Sequence, residues 1–157
     1  MDECFPPLAS AVAELCVPMP SAVEAARMLK QLQKYGYTSV CWCSEITGRL
    51  DDNHKMKAPP VESSVTSGGR PIKQLMRMDV HVEEDQHVAT IHNSREVLRR
   101  YDMVAIVPHS ELALEKCLKS PTVEHIDVIS LPSNHRWPFT LKQTLVQRAL
   151  KAGLHFE

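Results

Sequence analysis

Eight histidines set among nineteen acidic residues are the feature of this sequence most able to do chemistry, and the chemistry they suggest is metal-assisted hydrolysis. Spacing does not support it. Metal centres in α/β barrels gather at the carboxyl ends of strands, often from an H-x-H or H-x-D pair on the first strand, and the first strand here reads Glu14-Leu15-Cys16-Val17. His81, His109, His135 and His155 fall near strands or their ends, yet none has a second ligand at a fixed two- or four-residue interval. They read as scattered surface or half-buried histidines, and no metal site is expected. Cys41 and Cys43 alternate on one strand and so share a face, where two thiols could hold a metal or pack in a core. With no second pair, packing is the better reading. Gly68-Gly69 lacks the following G-K-[ST] of a phosphate loop and serves as a turn.

The basic residues are more informative. Arg49, Lys55, Lys57, Arg70, Lys73 and Arg77 lie in or beside one long polar segment, and Arg95, Arg99 and Arg100 crowd one helix. Arginine suits phosphate because its planar fork donates paired hydrogen bonds. Such contacts position a nucleic acid without reading its sequence. A solvated helix face and a soluble loop account for the same residues. The formal net charge of -1 means that any attraction for RNA must come from local clustering. Stacking on single strands is disfavoured, because Trp42, Trp137 and a few Tyr and Phe are the only aromatics.

The elements that would position these groups alternate between strand and helix. Ala13 to Val17 reads as a strand ended by Pro18 and Pro20. Ser21 and Glu24 form an S-x-x-E capping box, followed by Ala25, Met28, Leu29 and Leu32 at helical spacing and Gly36 as a stop. Tyr37 to Cys43 is the next strand. Residues 44–71 lose all periodicity and are expected to form a flexible loop. Leu75 to Val82 alternates Met76, Met78, Val80 and Val82 with Arg77, Asp79 and His81, predicting a strand with one wetter face. A short helix near Arg95 to Arg99, a strand at Met103 to Val107, a helix from Ser110 to Leu118 and a strand at Ile126 to Leu131 continue the alternation. A helix near Leu141 to Ala152 leads to His155-Phe156-Glu157, the beginning of a further strand.

The expected architecture is one α/β domain over residues 1–157, built of parallel βα repeats. A closed (β/α)8 barrel typically needs about 250 residues. Five strands and the start of a sixth are therefore expected to be the N-terminal part of a barrel, completed by downstream sequence or a partner protein, or else an open sheet. The five cysteines (Cys4, Cys16, Cys41, Cys43, Cys117), odd in number and without a CxxC pair, suggest reduced thiols and an intracellular setting. No run approaches the roughly 18 apolar residues of a membrane span, so no membrane partner is expected.

Seven segments, in order, resemble the barrel-type, thirty-kilodalton class protein subunit of ribonuclease P and ribonuclease MRP. They are Glu14-Leu15-Cys16-Val17-Pro18; Leu29 to Val40 with Tyr35-Gly36-Tyr37-Thr38; Ile46-Thr47-Gly48-Arg49-Leu50; and Ile72-Lys73-Gln74-Leu75-Met76-Arg77. Leu98-Arg99-Arg100-Tyr101-Asp102-Met103-Val104-Ala105, Asp127 to Leu131, and Arg136-Trp137-Pro138-Phe139 with Leu141-Lys142 and Ala152 to Glu157 complete the set. The resemblance implies a TIM-barrel-like fold related to the polymerase and histidinol phosphatase (PHP-like) group with its metal ligands lost. It also implies a subunit with no catalytic residue and no cofactor of its own, organising an RNA that processes precursor tRNA or, in MRP, precursor rRNA. Expected partners are that RNA, a small α/β ribonuclease P subunit and other proteins of the complex, in the nucleus and its nucleolus. Arg49, Lys73, Arg77, Arg99, Arg136 and Lys142, basic positions within matching segments, become the candidate RNA contacts, with Arg70 and Arg95 ranking lower. Glu14 and Cys16 stand where the family has Asp and Asn. Two alternatives remain: a metal-dependent phosphoesterase of the PHP-like group, and a doubly wound regulatory or small-molecule domain with its pocket at the carboxyl ends of the strands.

Overall fold

A computed structural model describes residues 13–47, 58–61, 71–131, 137 and 139–157. The strands are β1 (Ala13–Pro18), β2 (Ser39–Thr47), β3 (Lys73–Val82), β4 (Met103–Pro108), β5 (Val128–Ile129) and β6 (His155–Phe156). The helices are α1 (Ala22–Lys34), α2 (Asp85–Asn93), α3 (Arg95–Leu98), α4 (Glu111–Lys119) and α5 (Gln143–Lys151), with a short 3-10 helix at Pro121–His125. The strands form one parallel sheet in the order β1-β2-β3-β4-β5-β6. Each strand thus lies beside its neighbour in sequence. A doubly wound sheet reverses direction at a switch point, so this order fits the singly wound, barrel-type path instead.

The chain divides into two compact units. The first comprises residues 1–42 and 59–75. There the capping box of α1 forms as its sequence predicts: the Glu24 amide donates to Ser21 Oγ at 3.4 Å, and the Ser21 amide donates to Glu24 Oε2 at 3.0 Å. The Ser21 hydroxyl, donating to Glu24 Oε2 at 2.7 Å, and then the Ser21 amide hold the Glu24 carboxyl below its ordinary range. Gly36, at φ +81°, ends the helix in the left-handed region that glycine tolerates. Trp42 is fully buried, and its indole N–H donates to Gln74 Oε1 at 2.9 Å. Gln74 in turn donates to the Val61 carbonyl at 2.8 Å, satisfying both ends of the amide.

The second unit comprises residues 43–58 and 76–157. Its strands pair in parallel, with Arg77 opposite Met103, Ala105 opposite Val128 and Ile129 opposite Phe156. An aspartate repeats at the beginning of two strands. Asp102 donates its amide to the Met76 carbonyl at 2.9 Å and accepts the Met76 amide on Oδ2 at 2.8 Å. Asp127 does the same for Val104, at 2.8 Å for both bonds. Each carboxylate thereby satisfies a backbone donor where the parallel ladder begins. This is the physical work of the Asp102-Met103-Val104 and Asp127-Val128-Ile129 segments.

At the centre of β3 both faces are dry, which corrects the expectation of a wetter one there, while Lys73 and His81 at its ends keep some exposure. Met76, Met78, Val80 and Val82 are buried, but so are Arg77, fully, and Asp79, at 4 % exposure. Arg77 Nη2 donates to Asp79 Oδ2 at 3.1 Å, its Nε donates to Asp79 Oδ1, and its Nη1 donates to Glu157 Oε2. The last bond measures the curvature. Glu157 follows β6, and a flat sheet would put it three strand spacings, or about 14 Å, from β3. Two side chains standing perpendicular to such a sheet would not meet. The second unit must therefore curl around the Arg77 side, as the wall of a barrel does.

Other boundaries moved for identifiable reasons. Strand β2 continues to Thr47, four residues beyond the predicted end, while residues 48–57 and 62–70 of the expected loop lie outside the described residues. Helix α2 was not anticipated: only Val88 and Ile91 supply an apolar stripe across its nine residues. Strand β5 is two residues long and begins after the expected Ile126, which is instead the C-cap of a 3-10 helix started by Pro121. On α4, Cys117 is completely buried, which pushes its thiol up to about 12. Being raised, that value leaves the thiol protonated and unreactive at neutral pH. Alkylation of the native chain followed by peptide mass mapping should leave Cys117 unmodified until denaturant is added; rapid native labelling would contradict its burial.

Candidate nucleic-acid interface

The six predicted contact residues separate into three groups. Lys73, at the start of β3, is exposed, and its amide donates to the Thr38 carbonyl at 2.9 Å. Arg99, after α3, is exposed and lies 3.3 Å from Glu96, which also faces Arg95 at 3.7 Å. Lys142, just before α5, is exposed and paired with Glu111 of α4, an interaction that raises its pKa. Arg77 stands apart, buried between carboxylates instead of facing solvent. Arg49 and Arg136, like Arg70, lie outside the described residues. Arg99 also lines a cleft of about 350 Å³ with Tyr101, Asp102, Glu124, His125 and Asp127. The carboxylates of that cleft make it a poor seat for phosphate.

Among the described residues, a group of cations gathers on a surface that the sequence pattern marked only through Lys142. Helices α4 and α5 are neighbours: α4 buries Ala113, Leu114, Cys117 and Leu118, and α5 buries Leu145 and Ala149. Lys119, Arg148 and Lys151 are exposed on them, Lys116 is half-buried, and exposed Lys142 precedes α5. Lys119 donates to Glu115, and the charges of Lys119, Arg148 and Lys142 together hold the Glu115 carboxyl below its ordinary range. Three cations, Lys119, Lys142 and Arg148, thus face two carboxylates, Glu111 and Glu115, with Lys151 exposed one turn beyond Arg148, in a chain whose overall charge is -1. A local excess of this kind attracts phosphate despite an acidic remainder. The signal was present in the sequence as Lys116/Lys119 and Arg148/Lys151, each pair three residues apart and therefore on one helical face.

Two histidines dismissed as scattered are in fact together. His81 Nδ1 lies 3.0 Å from His109 Nε2, and Glu45 Oε2 lies 3.8 Å from His81 Nε2. No fixed interval joins them, because parallel strands bring residues far apart in sequence to one end of the sheet. Among the described residues no helix is long and apolar enough to cross a membrane.

Parallel strands in sequence order alternating with helices, together with a second unit that curls around buried Arg77, define a protein of the TIM-barrel-like α/β class. Within that class, the family model described as RNase P subunit p30 matches residues 11–157, and the chain belongs to that family. The chain is 30% identical over 88 residues to Protein GAMETOPHYTE DEFECTIVE 1 of Arabidopsis thaliana, a match covering 55% of this chain and 14% of that protein. It is 29% identical over 93 residues to Ribonuclease P protein subunit p30 of Mus musculus, covering 59% of this chain and 34% of that protein. The matched segment therefore spans only a minor part of each relative.

Proposed function

We propose that the chain acts as a non-catalytic protein subunit of the ribonuclease P or ribonuclease MRP ribonucleoprotein, supporting the RNA in processing precursor tRNA or precursor rRNA. The family match over residues 11–157 carries this reading. On it, the α4–α5 surface, with Lys142, Lys119 and Arg148 at its centre, is the principal seat for RNA phosphates, and Lys73, Arg99, Arg49 and Arg136 extend it. Arg77 shapes the sheet from inside and touches no RNA. The partners are the ribonuclease P or MRP RNA and a small α/β protein subunit of the complex, and the place of action is the nucleus, including its nucleolus.

Phosphate contacts of this kind release counterions, so the affinity of the chain for a structured RNA should fall steeply with salt. Filter-binding titrations across a salt series should give a log-log slope of about -0.9 per contact if the RNA is double-stranded, or about -0.7 if it is single-stranded. A slope near zero would overturn the electrostatic interface.

A further inference from the structure

The histidine pair is not used by the proposed function. His81 is the last residue but one of β3 and, by strand alternation, shares the face that carries Arg77 and Asp79. His109 immediately follows β4, and its amide donates to the Val82 carbonyl at 3.0 Å, which fixes its backbone against the end of β3. Glu45 lies on β2. All three residues belong to the second compact unit. The imidazole rings are 5.3 Å apart between centroids and inclined by 48°. His81 is about a quarter exposed, and His109 and Glu45 are open to solvent, so water can reach the pair.

Two ring nitrogens 3.0 Å apart share at most one proton between them, so at least one offers a lone pair to the other. An ion bonded to both at about 2.0–2.1 Å in tetrahedral geometry needs nitrogens roughly 3.3 Å apart, a few tenths of an ångström more than is found. The carboxylate lies on the opposite side of His81. Glu45 is an ion-pair neighbour of Nε2 at 3.8 Å, and a side-chain shift of under about 1 Å lets it accept the Nε2 proton and leave the Nδ1 lone pair toward His109. A carboxylate behind a ligating histidine is the arrangement that fixes tautomer and ring orientation at metal centres.

We propose that His81 Nδ1 and His109 Nε2 form a binding site for a divalent transition metal of the zinc class, oriented by Glu45 and completed by water. Imidazole nitrogens suit zinc, copper or nickel, whereas magnesium and calcium require oxygen ligands. The site does not depend on the RNA interface.

The test is calorimetric titration of the full, reduced chain with Zn2+ alone, with Mg2+ as the control, on the parent and on His81→Gln, His109→Gln and Glu45→Gln variants whose circular dichroism matches the parent. One equivalent of Zn2+ should bind the parent, with no uptake of Mg2+. Each histidine substitution should weaken binding by at least tenfold, and Glu45→Gln by about 10- to 100-fold as expected for an outer-sphere partner. Absence of Zn2+ uptake by the parent would overturn the site. So would undiminished uptake by the His81→Gln/His109→Gln double variant, which would place the ion on thiols instead.

Discussion

Replacing Arg77 with methionine should destabilise the chain by about 3 kcal/mol or more, read as a lowered urea midpoint. The guanidinium is wholly buried, Asp79 is nearly so, and removing the cation leaves the aspartate charged and dry. Glu157, two-fifths exposed, can turn to water and contributes less. A double variant Arg77→Met/Asp79→Leu should therefore recover much of the loss, because no unpaired charge remains in the buried part of the sheet. An unchanged midpoint for Arg77→Met would mean that the buried Arg77–Asp79 pair contributes nothing to stability.

Neutralising Lys119, Lys142 and Arg148 together with glutamine should reduce affinity for duplex RNA by on the order of a hundredfold near physiological salt, flattening the salt slope by about 2.7. The estimate takes one phosphate per cation. Fold should be retained, since all three side chains lie on the surface and exposed ion pairs contribute little to stability. Neutralising Arg95 and Arg100, which lie outside this surface, should have a much smaller effect. Equal losses from the two sets would indicate that total charge, not the α4–α5 surface, governs binding.

Much of the fold was legible because local chemistry and global path agree. Ser21 and Glu24 start α1, Gly36 stops it, and the apolar runs at Met103 to Val107 and at Leu75 to Val82 become adjacent parallel strands. What escaped was tertiary. The polar residues of β3 looked like a solvent face, because a sequence does not show that a carboxylate eighty positions later returns to neutralise Arg77. The same arrangement explains two matching segments at once: Arg77 ends one, and Glu157 ends the last. Helix α2 hid behind a weak stripe of Val88 and Ile91.

The candidate sites were legible only in part for the same reason. Lys142 was found through its place in a matching segment, whereas Lys119 and Arg148 acquire meaning only when α4 and α5 lie side by side around Glu115. His81 and His109 are twenty-eight residues apart and meet because β3 and β4 end together.

The role in a ribonuclease P or MRP particle is tested most directly by affinity purification of the tagged protein from its own cells, followed by sequencing of the RNA that comes with it. One discrete structural RNA of the ribonuclease P or MRP type should dominate and should be lost from the Lys119, Lys142 and Arg148 variant on washing with increasing salt. Recovery of no enriched RNA, or of a broad mixture in proportion to cellular abundance, would contradict the account.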